Sequence, residues 1–359
     1  MSRTFKADCM AVLIGSIPMD NHKLATDFML KYTPDIPLWV QLPKNPQESM
    51  INQFLPGLPG IAQQDNKIYL DTSGDAFQIE LLEFYEEYLA VTEDYSRLAD
   101  SRFSLTAGIA NGFFELKKTI ASLPSPPKAI KGQITGPITM SIGVKDQHGK
   151  SLFYDDTLKD VMVKTLALKA RWQVEQMAGL AQHTIIFFDE PGIVSFGSAA
   201  FISISREQIH AVIAEVVDSV HAAGGLAGIH ICATGDWSLA LESNTDILSF
   251  DAYNFFDKFI LYADLVKKFM SAGGILAWGI VPTSNPDDID KESVDSLIEK
   301  WLGQVDRVTA LGIERSQLLA QSLITPSCGT GSLSLAHATK VLELTKGVSE
   351  KIRRNEGLC

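Results

Sequence analysis

A histidine and a cysteine stand two apart at the end of a short apolar run, His230-Ile231-Cys232 in "GLAGIHICATGDW", and another soft ligand, Cys328, lies far downstream in "ITPSCGTGS". Side chains i and i+2 of an extended segment point the same way, so His230 and Cys232 can reach one ion. Taken alone, the pair reads as two buried residues sharing a strand face, since free cysteine is commonly a core residue. Cys328 follows a strand-like run and precedes a helical one, where a helix N-terminus favours the thiolate. Two thiolates and one imidazole, completed by a carboxylate or a bound substrate, make a tetrahedral zinc site of the catalytic kind. Such soft donors select zinc over magnesium or calcium.

Other polar residues fall near the same positions. On "DILSFDAY" alternation puts Ser249, Asp251 and Tyr253 on one face, Asp251 to bring an oxygen ligand and Tyr253 to contact a substrate. The acidic pair Asp189 and Glu190 ends "TIIFFDE" and serves either as charges at a helix N-terminus or as contacts to a substrate's amino group. "IGSIP", with Ile14, Gly15 and Ser16, and "ITGPIT" bring backbone to strand ends, where glycine admits a small ligand closely. Trp39, Trp237 and Trp278 read as packing residues.

These residues need a scaffold that gathers strand ends. Strand-like runs at 10–16, 37–42, 129–136, 184–190, 226–232, 246–253, 275–281 and 316–323 alternate with helix-period segments at 158–181, 206–223 and 289–310. "AAGG" and "SAGG" stop helices and lead straight into strands. The alternation predicts an α/β fold, a (β/α)8 TIM barrel in one domain over 1–359, whose chemistry sits at the carboxyl ends of its strands. A long insertion, about 43–125, falls between strands two and three and reads as a Gly/Pro-rich loop with a small hairpin, then extra helices over 77–122.

Composition narrows the partners. With 46% apolar and 21% charged residues the chain has the makings of a sizeable core. A net charge of -12 opposes nucleic acid and anionic lipid surfaces. No apolar run approaches the roughly eighteen residues of a membrane span, and "MSRTFKADCM" lacks the pattern of a secretory leader. The four cysteines, Cys9, Cys232, Cys328 and Cys359, are too few and scattered for a disulfide framework, so reduced thiols and a cytoplasmic location are expected.

"IGSIP", "ITGPIT", "FFDEP", "HIC" and "TPSCG", in this order and over nearly the whole chain, resemble the catalytic half of cobalamin-independent methionine synthase and its relatives in the uroporphyrinogen decarboxylase-like methyltransferase superfamily. The resemblance implies zinc on His230, Cys232 and Cys328, with Asp251 from the next strand completing the shell and Asp189 and Asp251 as the catalytic carboxylates. It implies that zinc activates a small acceptor thiol, homocysteine above all, and that Ile14, Gly15, Ser16 and Asp189 hold the acceptor's polar end. Full-length synthases carry a second half that helps to hold folate, and a histidine on strand seven. "ILAWGIVPTSN" has no such histidine and is more like the short corrinoid-dependent methyltransferases, so the expected donor is a methylcobamide on a separate corrinoid protein.

Aligning "ESMINQF" with the helix after strand two puts Lys44 where the synthases have a glutamate that contacts the amino group of homocysteine. Lys44 then either faces the acceptor, favouring a carboxylate or a coenzyme M-like sulfonate, or is an exposed loop residue. Two further readings are a metal-free porphyrinogen decarboxylase, which would want a cluster of cations at the mouth, and a zinc-holding barrel that binds without turnover.

Overall fold

The computed structural model describes residues 5–65, 67–196, 201 and 203–358. Its centre is a curled parallel sheet of seven strands: β1 (Met10–Ala11), β4 (Ala129–Thr135), β5 (His183–Asp189), β6 (Leu226–Ile231), β7 (Ile247–Phe250), β8 (Ile275–Val281) and β9 (Ser322–Pro326). They lie in the order β1-β9-β8-β7-β6-β5-β4, so each chain-consecutive pair from β4 onward is also adjacent in space, the pattern left by successive crossover helices. The stretch 35–41 lies between the sheet's two edges. Gln41 N donates to Gly15 O (3.1 Å) and Ile17 N to Gln41 O (3.0 Å) on one side, and Lys131 N donates to Pro37 O (2.8 Å) on the other. Isolated parallel bridges pair Ser16 with Gln41 and Leu38 with Lys131.

Residues 43–125 hold a hairpin, β2 (Ile61–Gln64) with β3 (Lys67–Leu70), then α2 (Gly74–Glu93) and α3 (Ala107–Ala121). The remaining helices are α1 (His22–Tyr32), α4 (Pro137–Gly143), α5 (Asp156–Met177), α6 (Arg206–Ala222), α7 (Ser238–Leu241), α8 (Ala252–Phe259), α9 (Ala263–Ser271), α10 (Pro286–Lys291), α11 (Val294–Thr309), α12 (Arg315–Ala320) and α13 (Leu335–Asn355). Gly224 and Gly273, in "AAGG" and "SAGG", take φ of 84° and 91° just past α6 and α9, the left-handed conformation that ends a helix. No helix among the described residues is long and apolar enough to cross a membrane.

Strand alternation sorts the core. Ile186, Phe188, Ile229, Leu248, Leu276 and Ile324 pack toward the helices, in the larger apolar cluster. Ala129, Ile185, Phe187, Ile247, Ile275, Ala277 and Leu323 face the inside of the curl with Phe5, Met10 and Ile36. The inner rows end in Asp189, His230 and Ser249, which are register partners across β5, β6 and β7. Position along a strand thus decides what the inner face offers: apolar groups below, polar ones at the carboxyl end.

Several boundaries differ from those expected: the run 10–16 is a strand only over Met10–Ala11, and 37–42 forms single bridges, at Leu38 and Gln41, in place of a strand. The run 316–323 is mostly α12, and the strand is "SLITP" (Ser322–Pro326): Leu318 and Leu319 are buried on a helical turn, and a short apolar run does not distinguish the two periods. The run 246–253 ends at Phe250, because the Asp251 side chain accepts from Asn254 N (2.9 Å) and starts α8. Tyr253 therefore lies on a helix and shares no strand face with Ser249. The expected helix 289–310 divides into α10 and α11 around a capping box in which Ser293 and Ser296 exchange hydrogen bonds.

Candidate metal centre

His230 is the next-to-last residue of β6, and Cys232 follows the strand on the same inner face. Cys328 stands just past β9, and a turn over 327–334 separates it from α13. One ligand atom from each of the three lies within 4.8 Å of the others. His230 Nδ1 pairs with Ser249 Oγ at 2.9 Å, so the second nitrogen, Nε2, is the free one, and it is buried with no hydrogen-bond partner. Buried polar atoms rarely stay unpaired in native proteins, and an orphaned imidazole nitrogen beside two thiols fits a metal ligand. Two sulfurs and an imidazole are also the donor set that suits zinc.

The thiols are unequal. The neighbouring Cys328 and His230 side chains hold the Cys232 thiol below the ordinary thiol range, while Cys232 and burial push Cys328 up. Cys9, the remaining thiol among the described residues, is buried and donates to Leu319 O at 3.6 Å; Cys359 lies outside them.

A cavity of about 280 Å³ opens beside the trio. Ile14, Gly15, Ser16, Gln41, Glu48 and Asp189 share its wall with His230, Cys232 and Cys328. Ser16 Oγ accepts from Gly331 N (3.1 Å) and Ser16 O from Thr330 N (3.0 Å), tying the turn after Cys328 to the end of the first strand-like run. The Asp189 carboxyl is buried, Oδ1 has no partner, and burial pushes it up to about 6. Below it Lys131 is fully buried, donates to Ile14 O (2.5 Å) and Gln133 Oε1 (3.3 Å), and lies 4.5 Å from the Phe187 ring centroid. Burial pulls that amine down to about 8, with Asp189 opposing.

Four expected site residues stand elsewhere. Glu190 faces the helices: Oε1 accepts from Ile138 N (2.8 Å), and Oε2 from Thr139 N (2.9 Å) and Thr139 Oγ1 (2.7 Å), so it closes on the start of α4. Asp251 is outside the group of ligand atoms, both its oxygens taken by Asn254, at N (2.9 Å) and Nδ2 (2.8 Å). Tyr253 donates to Glu292 (2.7 Å) and is not among the cavity-lining residues. Lys44 is exposed and also absent from that wall. Besides Asp189, the wall carries a second carboxylate, Glu48, in the turn Pro46–Glu48. Sequence reading passed over Glu48 and Lys131; the one usable signal was a lysine set in the otherwise apolar strand "AIKGQIT".

No protein-family model and no curated protein sequence matches the chain. Among solved structures, a B12-independent methionine synthase from Shewanella sp. W3-18-1 is 17% identical over 69% of this chain and 67% of its own, with a TM-score of 0.48. A 3-keto-D-glucoside 4-epimerase from E. coli is 11% identical over 66% of this chain and 84% of its own, at 0.38. A GH20 catalytic module of a pneumococcal exo-β-D-N-acetylglucosaminidase is 9% identical over 96% of this chain and 85% of its own, at 0.43. Likeness at this level transfers neither substrate nor activity.

Proposed function

We propose that the chain is a zinc-dependent methyltransferase that moves a methyl group from a methylated corrinoid protein onto a small thiol, homocysteine before others, giving methionine. The convergence of His230, Cys232 and Cys328 on one point beside a cavity carries this reading. We read the curled sheet, its edges joined through 35–41, as a (β/α)8 barrel with the insertion at 43–125, so that the cavity occupies the carboxyl-end mouth.

His230, Cys232 and Cys328 would hold the zinc, which when bound lowers the pKa of a thiol so that a thiolate is present near neutral pH. With Asp251 outside the group of converging ligand atoms, the remaining position falls to the acceptor. The chain's own groups then fix the acceptor. Asp189 and Glu48 present carboxylates to an ammonium, and the unpaired Asp189 Oδ1 would gain a partner. Backbone and hydroxyl at Gly15 and Ser16 sit where a carboxylate could be bonded. Holding both ends of the headgroup sets the sulfur's direction toward an incoming methyl group.

The carboxylates on this wall disfavour a sulfonate or a porphyrinogen, and Lys44, the cation that favoured a coenzyme M-like acceptor, is not among the residues lining it. The corrinoid donor rests on the likeness of "AWGIVPTSN" to short corrinoid-dependent enzymes. Metal analysis, followed by incubation with methylcobalamin and a panel of thiols, tests the reading. About one zinc per chain and loss of the methylcobalamin spectrum with homocysteine are expected; a zinc-free protein that methylates no thiol would sink it.

A further inference from the structure

We infer that His22, held by Asn111, is a positioning residue that keeps Glu48 as the cavity's recognition group for a cationic headgroup; the inference rests on the acceptor site proposed above. The Glu48 side chain is only 1% exposed, yet it lines the cavity. A carboxylate this deep needs donors. Oε1 accepts from His22 Nε2 (2.6 Å) and Asn45 Nδ2 (3.2 Å), and Oε2 accepts from Leu42 N (2.9 Å). A carboxylate offers about four lone-pair sites. Three are taken, and the one left is on Oε2.

His22 is the first residue of α1, whose start is fixed by Asn21 Oδ1 accepting from Leu24 N (3.0 Å). From α3, Asn111 Nδ2 lies 3.2 Å from His22 Nδ1 and fixes the ring. On the other side of the ring Nε2 donates to Glu48 Oε1 at 2.6 Å. Neither His22 nor Asn111 lines the cavity, so both act through Glu48.

The test uses a metal-independent probe pair, L-methionine and its des-amino analogue 4-(methylthio)butanoate, titrated calorimetrically into wild type, H22A, H22Q, N111A and E48Q. Wild type is expected to prefer L-methionine, E48Q to lose the preference, and H22A to bind L-methionine about tenfold more weakly, the scale of one hydrogen bond to a charged group. Binding of the analogue should stay unchanged. H22Q, whose amide can still donate, should fall between, and with N111A it carries the test if H22A does not fold. A wild type without preference, or an H22A that weakens both probes equally or neither, overturns the inference. A preference sensitive to His22 in a protein that transfers no methyl group leaves this inference standing and removes the methyl-transfer reading.

Discussion

Asp189 and Glu190 are consecutive, yet Asp189 ends the inner row of β5 beside His230 while Glu190 turns to the helices and closes on the start of α4. The approach is tight. A Cβ at Gly136 would meet Glu190 Cδ at 2.2 Å, so glycine is required there. The two residues should therefore fail differently. E190A strands two backbone amides and a hydroxyl and should cost about 3 kcal/mol in urea unfolding. D189N should leave the unfolding midpoint close to wild type while weakening binding of an amino-acid ligand; equal stability losses in the two variants would contradict the split.

How much of this was legible beforehand follows from the range of the forces involved. His230 and Cys232 were readable because alternation is local, and Cys328 because a strand end followed by a helix gathers at the same mouth. Alternation also separates Asp189 from Glu190, but only once the inner face of β5 is known, and that depends on register with β4 and β6. Glu48 was invisible because its burial is decided by α1 and by the last residue of the strand-like segment 37–42, through His22 and Leu42, and no local pattern marks a loop carboxylate as buried. Lys44, four residues earlier, carried the stronger local signal and stayed in solvent.

Ser249 holds His230 through Nδ1 at 2.9 Å from the neighbouring strand and so aims Nε2 at the thiols. Groups that orient a ligand in this way tune metal affinity by about 10- to 100-fold. At the proposed zinc site, S249A should lower zinc affinity by about tenfold in competition with a chromophoric chelator, without changing the fold seen by circular dichroism. C232S and C328S should each lose zinc outright. Unaltered affinity in S249A would mean that packing alone orients the imidazole.

Gly112 lies inside α3, where glycine is ordinarily unfavourable. Its φ is unexceptional, so the reason is space: an added Cβ would come within 2.0 Å of Val40 O, a backbone atom of the segment that joins the sheet edges. Backbone cannot swing away as a side-chain tip can. G112A should destabilise by about 3 kcal/mol and disturb Gln41, next to Val40, and Glu48, which accepts from Leu42 N, so that thermal midpoint and ligand affinity fall together. A variant as stable as wild type would show that the helix can shift outward freely.

Lys169 gives the molecule a pH dependence remote from the cavity. On α5 it is fully buried, and its amine has one long bond, to Arg102 O at 3.5 Å. Burial pulls it from an ordinary 10.5 down to about 7. Between those values the unfolded chain binds a proton that the folded lysine releases, so stability rises with pH from about 7 to about 10 and flattens below. K169M removes the cost of burying an amine and keeps most of the volume. It should raise stability at pH 7 by about 2 kcal/mol and reduce the slope toward pH 10. Lys131, pulled down to about 8 in the same sense, leaves part of that slope in place. Denaturant midpoints at several pH values for the two proteins decide it; parallel curves would mean that Lys169 reaches water in the folded state.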